Sequence, residues 1–431
     1  MTTVGILTTI IAITTCICMI ISLVINGRIK HFPKFWLICL FGAVICLIIN
    51  YADFTNIIKQ LVEDTSINPL KILVFFISMT IMSIILDKLD FFKFVAIKCT
   101  KLAHNSQKKL FFIFYIIVSI LTIFTSNDIV ILSFIPFICY FCKYTDISPV
   151  PYVFSSFVAA NTWSMLLIIG NPTNVYLATF AGIDFVSYLF TMALPTLACG
   201  VVSLFLLLVL FKNYLKQPIT KQLDSDIDIN KTLVIVNVII LAVCIIMLAI
   251  SSYIGLQMWY ISLGFVVLQI LINIVIIAFS TKSYNFIFSA IKSAPWTLIP
   301  FLLSMFLIVS CLGVNNITTI LANILDRGNS LISYGIGSFL FSNIMNNIPM
   351  TTLFAQIMAS GSANLAAVYA SIIGSNLGAI LTPVGALAGI MFLKILKEKN
   401  VDFSIRTFIK YGSVISVISM SVGIGVLALI I

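Results

Sequence analysis

The chain has 431 residues, of which 61% are hydrophobic and 9% charged, with a formal net charge of +10. Soluble globular domains carry about 25% charged residues, so this composition excludes one and marks an all-α polytopic membrane protein. The basic excess lies in short loops, where it sets topology; it does not point to nucleic acid.

Apolar runs at 4–25, 35–50 and 70–86 are read as the first three spans. No basic region precedes the first run, and it is long enough to cross, so it is a helix rather than a signal peptide. Residues 91–102 carry Lys93, Lys98 and Lys101 among aromatics and are read as interfacial. The runs 110–124 and 129–141 flank a polar island, Thr125, Ser126, Asn127 and Asp128. They are read as a re-entrant hairpin over 110–142. Residues 152–182 form a span broken at Gly170-Asn171-Pro172-Thr173-Asn174, and 188–211 crosses fully.

Residues 212–231 are the most polar stretch and are read as a linker on the cytoplasmic side. The first half is then 1–211 and the second 232–431. Spans are expected at 233–250, 258–279 and 296–312, with a short segment at 317–325. A second hairpin, 331–359, has apolar arms 331–341 and 352–359 around a polar island at 342–351. Arms of about 10 residues rise only about 15 Å, half of a ~30 Å hydrocarbon core, so the tip is expected at mid-membrane. A broken span at 365–393 and a last span at 407–430 follow.

Each half thus places a hairpin before a broken helix, the order an internally repeated transporter needs. With the N-terminus outside, every lysine and arginine except Lys59, Lys71 and Arg327 falls on the cytoplasmic side. The hairpins then enter from opposite faces, as inverted repeats do, and the C-terminus is also outside.

The islands are expensive in lipid unless they line a site or a water-filled cavity. A broken helix presents free N–H groups and the positive end of its dipole to a polar solute. Asn171-Pro172 and Thr382-Pro383 read as an N-cap followed by proline at the first helical position, with Pro349 in a similar role. Ser126 or Asn127 is expected to cap the return arm of the first hairpin. The candidate binding set is Ser126, Asn127, Asp128, Asn171, Thr173, Asn174, Asn343, Asn346, Asn347, Ser375, Asn376 and Thr382. Asp128 is the carboxylate placed deep in the membrane, suited to a proton or Na⁺. Alanine at Asn127, Asp128, Asn171, Asn174, Asn347 or Asn376 is expected to abolish transport. Cys139 and Cys142 have thiolate-ligand spacing but read as small apolar fillers. His31 and His104 lie in basic loops. No P-loop, zinc motif or nucleophile–base pair is present, which argues against an ATPase or an enzyme.

Four motifs carry a resemblance: Thr-Ser-Asn-Asp-Ile-Val-Ile-Leu from Thr125, Gly-Asn-Pro-Thr-Asn-Val-Tyr-Leu from Gly170, Met-Asn-Asn-Ile-Pro from Met345, and Gly-Ser-Asn-Leu-Gly-Ala-Ile-Leu-Thr-Pro-Val-Gly-Ala-Leu-Ala from Gly374. They resemble the ArsB/NhaD group of the ion transporter superfamily, which includes arsenite permeases, sodium/proton antiporters and, more distantly, citrate and dicarboxylate carriers. The resemblance implies an elevator-type secondary transporter with a scaffold and a mobile domain. It matches Asn127 and Asp128 to one hairpin tip, and Asn346, Asn347 and Pro349 to the other. It matches Ser375, Asn376, Gly378, Thr382, Pro383 and Gly385 to the second broken helix. The chain departs from arsenite permeases at Gly170–Asn174, where they have a Ser-Asn-x-x-Asn element, and before Leu377-Gly378, where they carry an acidic residue.

The expected function is transport of a small anion or oxyacid across the plasma membrane, coupled to H⁺ or Na⁺ and without a cofactor. A sodium/proton antiporter, a dicarboxylate or citrate carrier, and an ion channel are the alternatives. Relatives of this fold often work as homodimers, and some arsenite permeases take a separate ATPase subunit.

Overall fold

The structure, a computed structural model, describes residues 2–25, 34–62, 68–102, 106–219, 229–251, 253–278 and 285–431. His31, His104 and the middle of the expected linker lie outside the described residues. The regular structure among them is helical, with short 3-10 turns and one isolated bridge between Ser106 and Pro218. In chain order the first half holds α1 (Thr3–Ile25), α2 (Phe35–Ile49), α3 (Phe54–Val62), α4 (Pro69–Lys88), α5 (Phe91–Leu102), α6 (Gln107–Phe124), α7 (Asn127–Thr145), α8 (Val150–Trp163), α9 (Pro172–Phe180) and α10 (Phe185–Phe211). The second holds α11 (Lys231–Ala249), α12 (Met258–Ala278), α13 (Asn285–Ser293), α14 (Leu298–Val314), α15 (Ile317–Leu325), α16 (Ser330–Met345), α17 (Asn347–Ser360), α18 (Leu365–Leu381), α19 (Leu387–Glu398) and α20 (Ile405–Leu427).

Nine helices among the described residues are long and apolar enough to cross a membrane. Their outer faces are greasy and their inner faces small or polar, the arrangement a lipid solvent selects. On α10, Phe190, Leu194, Leu197, Val201, Phe205 and Val209 are exposed, whereas Thr196, Cys199, Gly200 and Ser203 are buried. The second expected span is α2, and just past its end the chain turns by 88° into the helix starting at Tyr51.

Helix–turn–helix pairs occupy both stretches read as hairpins, with arms longer than expected. In the first, Phe114 on α6 packs edge-on against Phe134, Phe137 and Phe141 of α7, an antiparallel pairing about the tip. These arms have 18 and 19 residues, each enough to cross. In the second hairpin α16 has 16 residues and α17 has 14, so the arms rise about 24 and 21 Å rather than 15 Å. The reason is local. The polar side chains of the island bond back to their own helix instead of ending it. Ser342 Oγ donates to Phe339 O (2.9 Å), Asn343 Nδ2 to Phe339 O (2.8 Å) and Thr351 Oγ1 to Asn347 O (2.6 Å). Helix therefore runs through the island, and Asn346 alone makes the turn, with φ 75° and ψ 152°.

The first break is wider than read, running from Ser164 to Asn171 with a 3-10 turn at Ile168–Gly170. The second occupies residues 382–386.

The long α10 separates two faces of the molecule. At 27 residues it rises about 40 Å. Beyond its C-terminal end, Pro218 bridges to Ser106 at the start of α6, and Tyr152 OH near the start of α8 donates to Gln107 Oε1 (2.8 Å). The first hairpin opens at this face. At the other end, Tyr188 packs on Tyr369 near the start of α18, next to the loop that leaves α17. Asp326 there accepts from Tyr334 OH (2.8 Å) and from Ser362 N (2.8 Å), clasping both feet of the second hairpin. The two hairpins open at opposite ends of α10.

Candidate functional site

The two breaks and the first hairpin tip meet through side-chain carboxamides. Asn171 is the N-cap of α9, as its sequence suggests: its Oδ1 accepts from Thr173 N (3.2 Å), and Pro172 fills the first helical position. Its free amide reaches across to the other half, where Asn171 Nδ2 donates to Asn376 Oδ1 (2.7 Å). Asn376 Nδ2 donates in turn to Asn174 Oδ1 (2.8 Å) and to Ile372 O of its own helix (2.8 Å). Asn174 Nδ2 closes the ring by donating to Ser164 O (2.7 Å) and Leu167 O (3.2 Å) at the ragged end of the break. Carbonyls left open by the end of α8 are thereby satisfied without water. Gly170 permits this closeness, since a Cβ there would strike Ser164 O.

Ser164 extends the network. Its Oγ lies 3.1 Å from Asn376 Oδ1 and 3.0 Å from Asn161 O. Asn161 Oδ1 accepts from Asn127 Nδ2 at the first hairpin tip (3.2 Å), and Asn127 Oδ1 accepts from Asp128 N (2.9 Å). Asn127, Asn171, Asn174 and Asn376 thus belong to one buried hydrogen-bonded set, with half-buried Asp128 next to it. Thr173 Oγ1 is 3.5 Å from Asn174 Oδ1. Ser126 Oγ and Ser375 Oγ are buried without a hydrogen-bond partner among the described residues, open donors and acceptors beside the network. Ser126 is the residue before α7 but its side chain does not cap it.

The second hairpin tip is tied to the second break. Asn343 Nδ2 donates to Gly378 O (3.0 Å), and Asn346 Nδ2 donates to Val384 O (3.0 Å). Asn347 N donates to Gly385 O (3.0 Å). Thr382 Oγ1 donates to Asn343 Oδ1 (2.7 Å). That last bond overturns the expected cap. Thr382 does not start α19; its hydroxyl is taken by Asn343, the chain turns on through Gly385, and α19 begins at Leu387 after an uncapped Ala386. Pro383 is therefore not at a helix start. Pro349 is the third residue of α17, whose cap is Asn346, with Oδ1 accepting from Ile348 N (3.4 Å).

Sequence reading missed Asn161 and Ser164. They lie in a run taken as an unbroken apolar span, yet Asn161-Thr162-Trp163-Ser164 is itself a polar island. No lysine or arginine is hydrogen-bonded to any of these groups among the described residues. Nor is there a cluster of three histidine, cysteine or acidic residues able to hold a metal. Cys139 and Cys142 are buried and not disulfide-bonded, on the arm below the first tip. The site can offer carboxamides, hydroxyls, open backbone groups and one carboxylate.

Helices broken at depth around a shared polar centre define a membrane transporter. A sequence profile of the citrate transporter family matches residues 2–371, and the chain belongs to that family, within the ion transporter superfamily. The arsenical pump membrane protein of Escherichia coli strain K12 is 26% identical over 379 residues, covering 82% of this chain and 85% of that protein. The putative arsenical pump membrane protein of Bacillus subtilis is 24% identical, covering 77% and 80%. The crystal structure of the YdaH transporter of Alcanivorax borkumensis matches the fold with a TM-score of 0.57 at 13% identity, over 98% of both chains. The protein is accordingly a multi-pass membrane transporter.

Proposed function

We propose that this protein is a secondary transporter that exports a small oxyacid of the arsenite and antimonite type, coupled to H⁺ or Na⁺. The observation that carries this is the network centred on Asn376. It is built of carboxamides and hydroxyls, each able to donate and accept, with no cation bonded to it. Such a set suits a neutral polyhydroxy solute better than a dicarboxylate, which calls for arginine-type pairing. The relatives named as arsenical pumps support the same substrate class. Asp128 beside the first tip supplies a carboxylate for the coupling ion, and carbonyls at the breaks supply neutral oxygens for Na⁺.

The transport cycle is read as an elevator between inverted repeats. Hairpins opening at opposite ends of α10 support that reading, as does the packing of α11, α12 and α13 on α4 as a scaffold whose inner side meets α7 and α9 of the site. The basic-residue bias places the first-hairpin face in the cytoplasm.

The test is uptake into everted vesicles under an imposed proton gradient, with arsenite and succinate offered separately. Saturable arsenite accumulation that an uncoupler collapses is the expected result. Succinate uptake without arsenite would move the protein to the carboxylate carriers. A second reading, sodium/proton exchange, is favoured by Asp128 being the one carboxylate at a tip; it predicts that Na⁺ alone dissipates the proton gradient.

A further inference from the structure

The two hairpin tips are fastened differently. At the second, four hydrogen bonds cross to α18 and the break after it, two of them onto the carbonyls of Gly378 and Gly385. Below that tip α16 and α18 touch backbone to backbone. Gly335, Ser338 and Ser342 face Gly374 and Gly378, and a Cβ at Gly378 would come 2.8 Å from Phe339 O. Small residues facing each other let helices approach until their main chains lock. The second hairpin and α18 form one unit.

At the first tip a single hydrogen bond crosses to another element among the described residues, from Asn127 Nδ2 to Asn161 Oδ1 (3.2 Å). The remaining bonds at residues 125–128 return to their own arms: Thr125 Oγ1 to Leu121 O, Asp128 N to Asn127 Oδ1, Val130 N to Ser126 O. Ser126 Oγ is buried without a partner. The arm α6 contains no glycine and meets α8 through rings, with Phe111 and Phe114 at 6.3 and 6.0 Å from Tyr152, and through hydrogen bonds from Tyr152 OH to Gln107 Oε1 (2.8 Å) and from Trp163 Nε1 to Tyr115 OH (3.3 Å), all of them away from the tip. Rings slide and turn past one another where interlocked main chains cannot. Asn161 is wholly buried, and its Nδ2 donates to Phe157 O (2.9 Å), which aims its Oδ1 at the tip.

We propose that Asn161 is the positioning residue that latches the first hairpin, and that this hairpin is the gate of the site while the second hairpin stays fixed to α18. This rests on the transporter reading of the site. Opening the first tip breaks one amide pair there, while α6 stays tied to α8 and α10 through Gln107 and Tyr115; opening the second tip would break four bonds and separate α16 from α18. Release of the Asn127 amide also frees the turn that carries Asp128, so the latch and the coupling carboxylate move together.

Deuterium exchange on the full chain in lipid nanodiscs tests this without any solute. Peptides over 121–131 should exchange about tenfold faster than peptides over 341–351. Asn161→Ala should speed exchange over 121–131 further and leave 341–351 unchanged, whereas Asn161→Asp, which keeps an acceptor for Asn127 but loses the donor to Phe157 O, should restore the wild-type rate only in part. Equal exchange at the two tips, or no response of 121–131 to Asn161→Ala, overturns the proposal. A second arm does not depend on Asn161. A Cβ at Gly335 would lie 3.6 Å from Ala370 Cβ, within disulfide reach. The oxidised double variant Gly335→Cys, Ala370→Cys should transport as fast as its reduced form. Loss of transport on oxidation, restored by a reductant, would show that the second hairpin must move and would sink the idea. If no offered solute moves in vesicles, the transporter reading fails by itself and the exchange arm still decides the latch.

Discussion

Asn376 is bonded at both ends of its side chain to the opposite half of the chain, and no apolar residue can replace it. Asn376→Ala leaves Ser164 Oγ, Asn171 Nδ2 and Asn174 Oδ1 short of a partner. Each orphaned group costs about 1–3 kcal/mol in a soluble core, and about 0.6 kcal/mol on average in a bilayer. The sum falls below the total stability of a typical protein, so the variant inserts. Its transport should be lost, measured as vesicle uptake normalised to membrane-inserted protein. Asp128 is a different case, since its side chain is only half-buried and it joins the network through its backbone N–H, which donates to Asn127 Oδ1. Asp128→Asn keeps size and polarity but cannot exchange a proton. Solute accumulation driven by an imposed proton gradient should disappear at every pH between about 6 and 8. Retained accumulation would remove Asp128 from the coupling step.

Among elements, the pairing of α16 with α18 depends most on small residues. Gly378→Val forces a branched side chain against Ser342 and the main chain at Phe339, an overpacking that costs about 1–3 kcal/mol. The melting temperature of the protein in detergent should fall, and a matching change at the open Gly264, which has nothing within 4 Å of a Cβ, should leave it unchanged. The feet of the same hairpin are held by Asp326. Burial pushes its carboxyl up, but hydrogen bonds from Ser362 N, Tyr334 OH and Ser362 Oγ outweigh that and hold it below its ordinary value. A carboxylate with a lowered folded pKa adds stability above its unfolded pKa of about 4, and that contribution is lost as pH falls through the lower folded value. Asp326→Asn should therefore destabilise the protein at neutral pH and flatten the acid limb of its stability curve. An acid limb identical to wild type would show that the clasp is idle.

At the scale of the whole molecule, the described faces make orientation testable. Asn315 Nδ2 donates to Asn50 Oδ1 (2.6 Å), and Asn50 Nδ2 donates to Thr8 Oγ1 (3.0 Å). These bonds gather the start of α1 and the ends of α2 and α14 at one face. The proposed orientation, drawn from lysine and arginine counts, would put that face outside. Impermeant labelling of tags at the two termini in intact cells should mark both; protection of either one reverses or breaks the assigned topology.

The membrane class, the family and the presence of polar interruptions were legible in the sequence because hydropathy and polar islands are local signals. A polar residue in a long apolar run stands out whatever surrounds it, and Asn171-Pro172 carries its cap geometry in two adjacent residues. Lengths and partners were not legible. The island at 342–351 reads as a break until Ser342, Asn343 and Thr351 are seen bonding to their own helices. Thr382-Pro383 reads as a helix start until Asn343 is seen to take its hydroxyl. Asn161 and Ser164 carry no mark that separates a network residue from a polar passenger. In each case the choice lies between a bond inside the helix and a bond to an element distant in sequence, and only packing brings the second partner within hydrogen-bond distance. Sequence alone determined that this chain lives in a membrane and where its helices are interrupted, because lipid penalises each exposed polar group one residue at a time. The tertiary structure decided which interruptions touch, since a carboxamide can bond in several directions and the fold selects one.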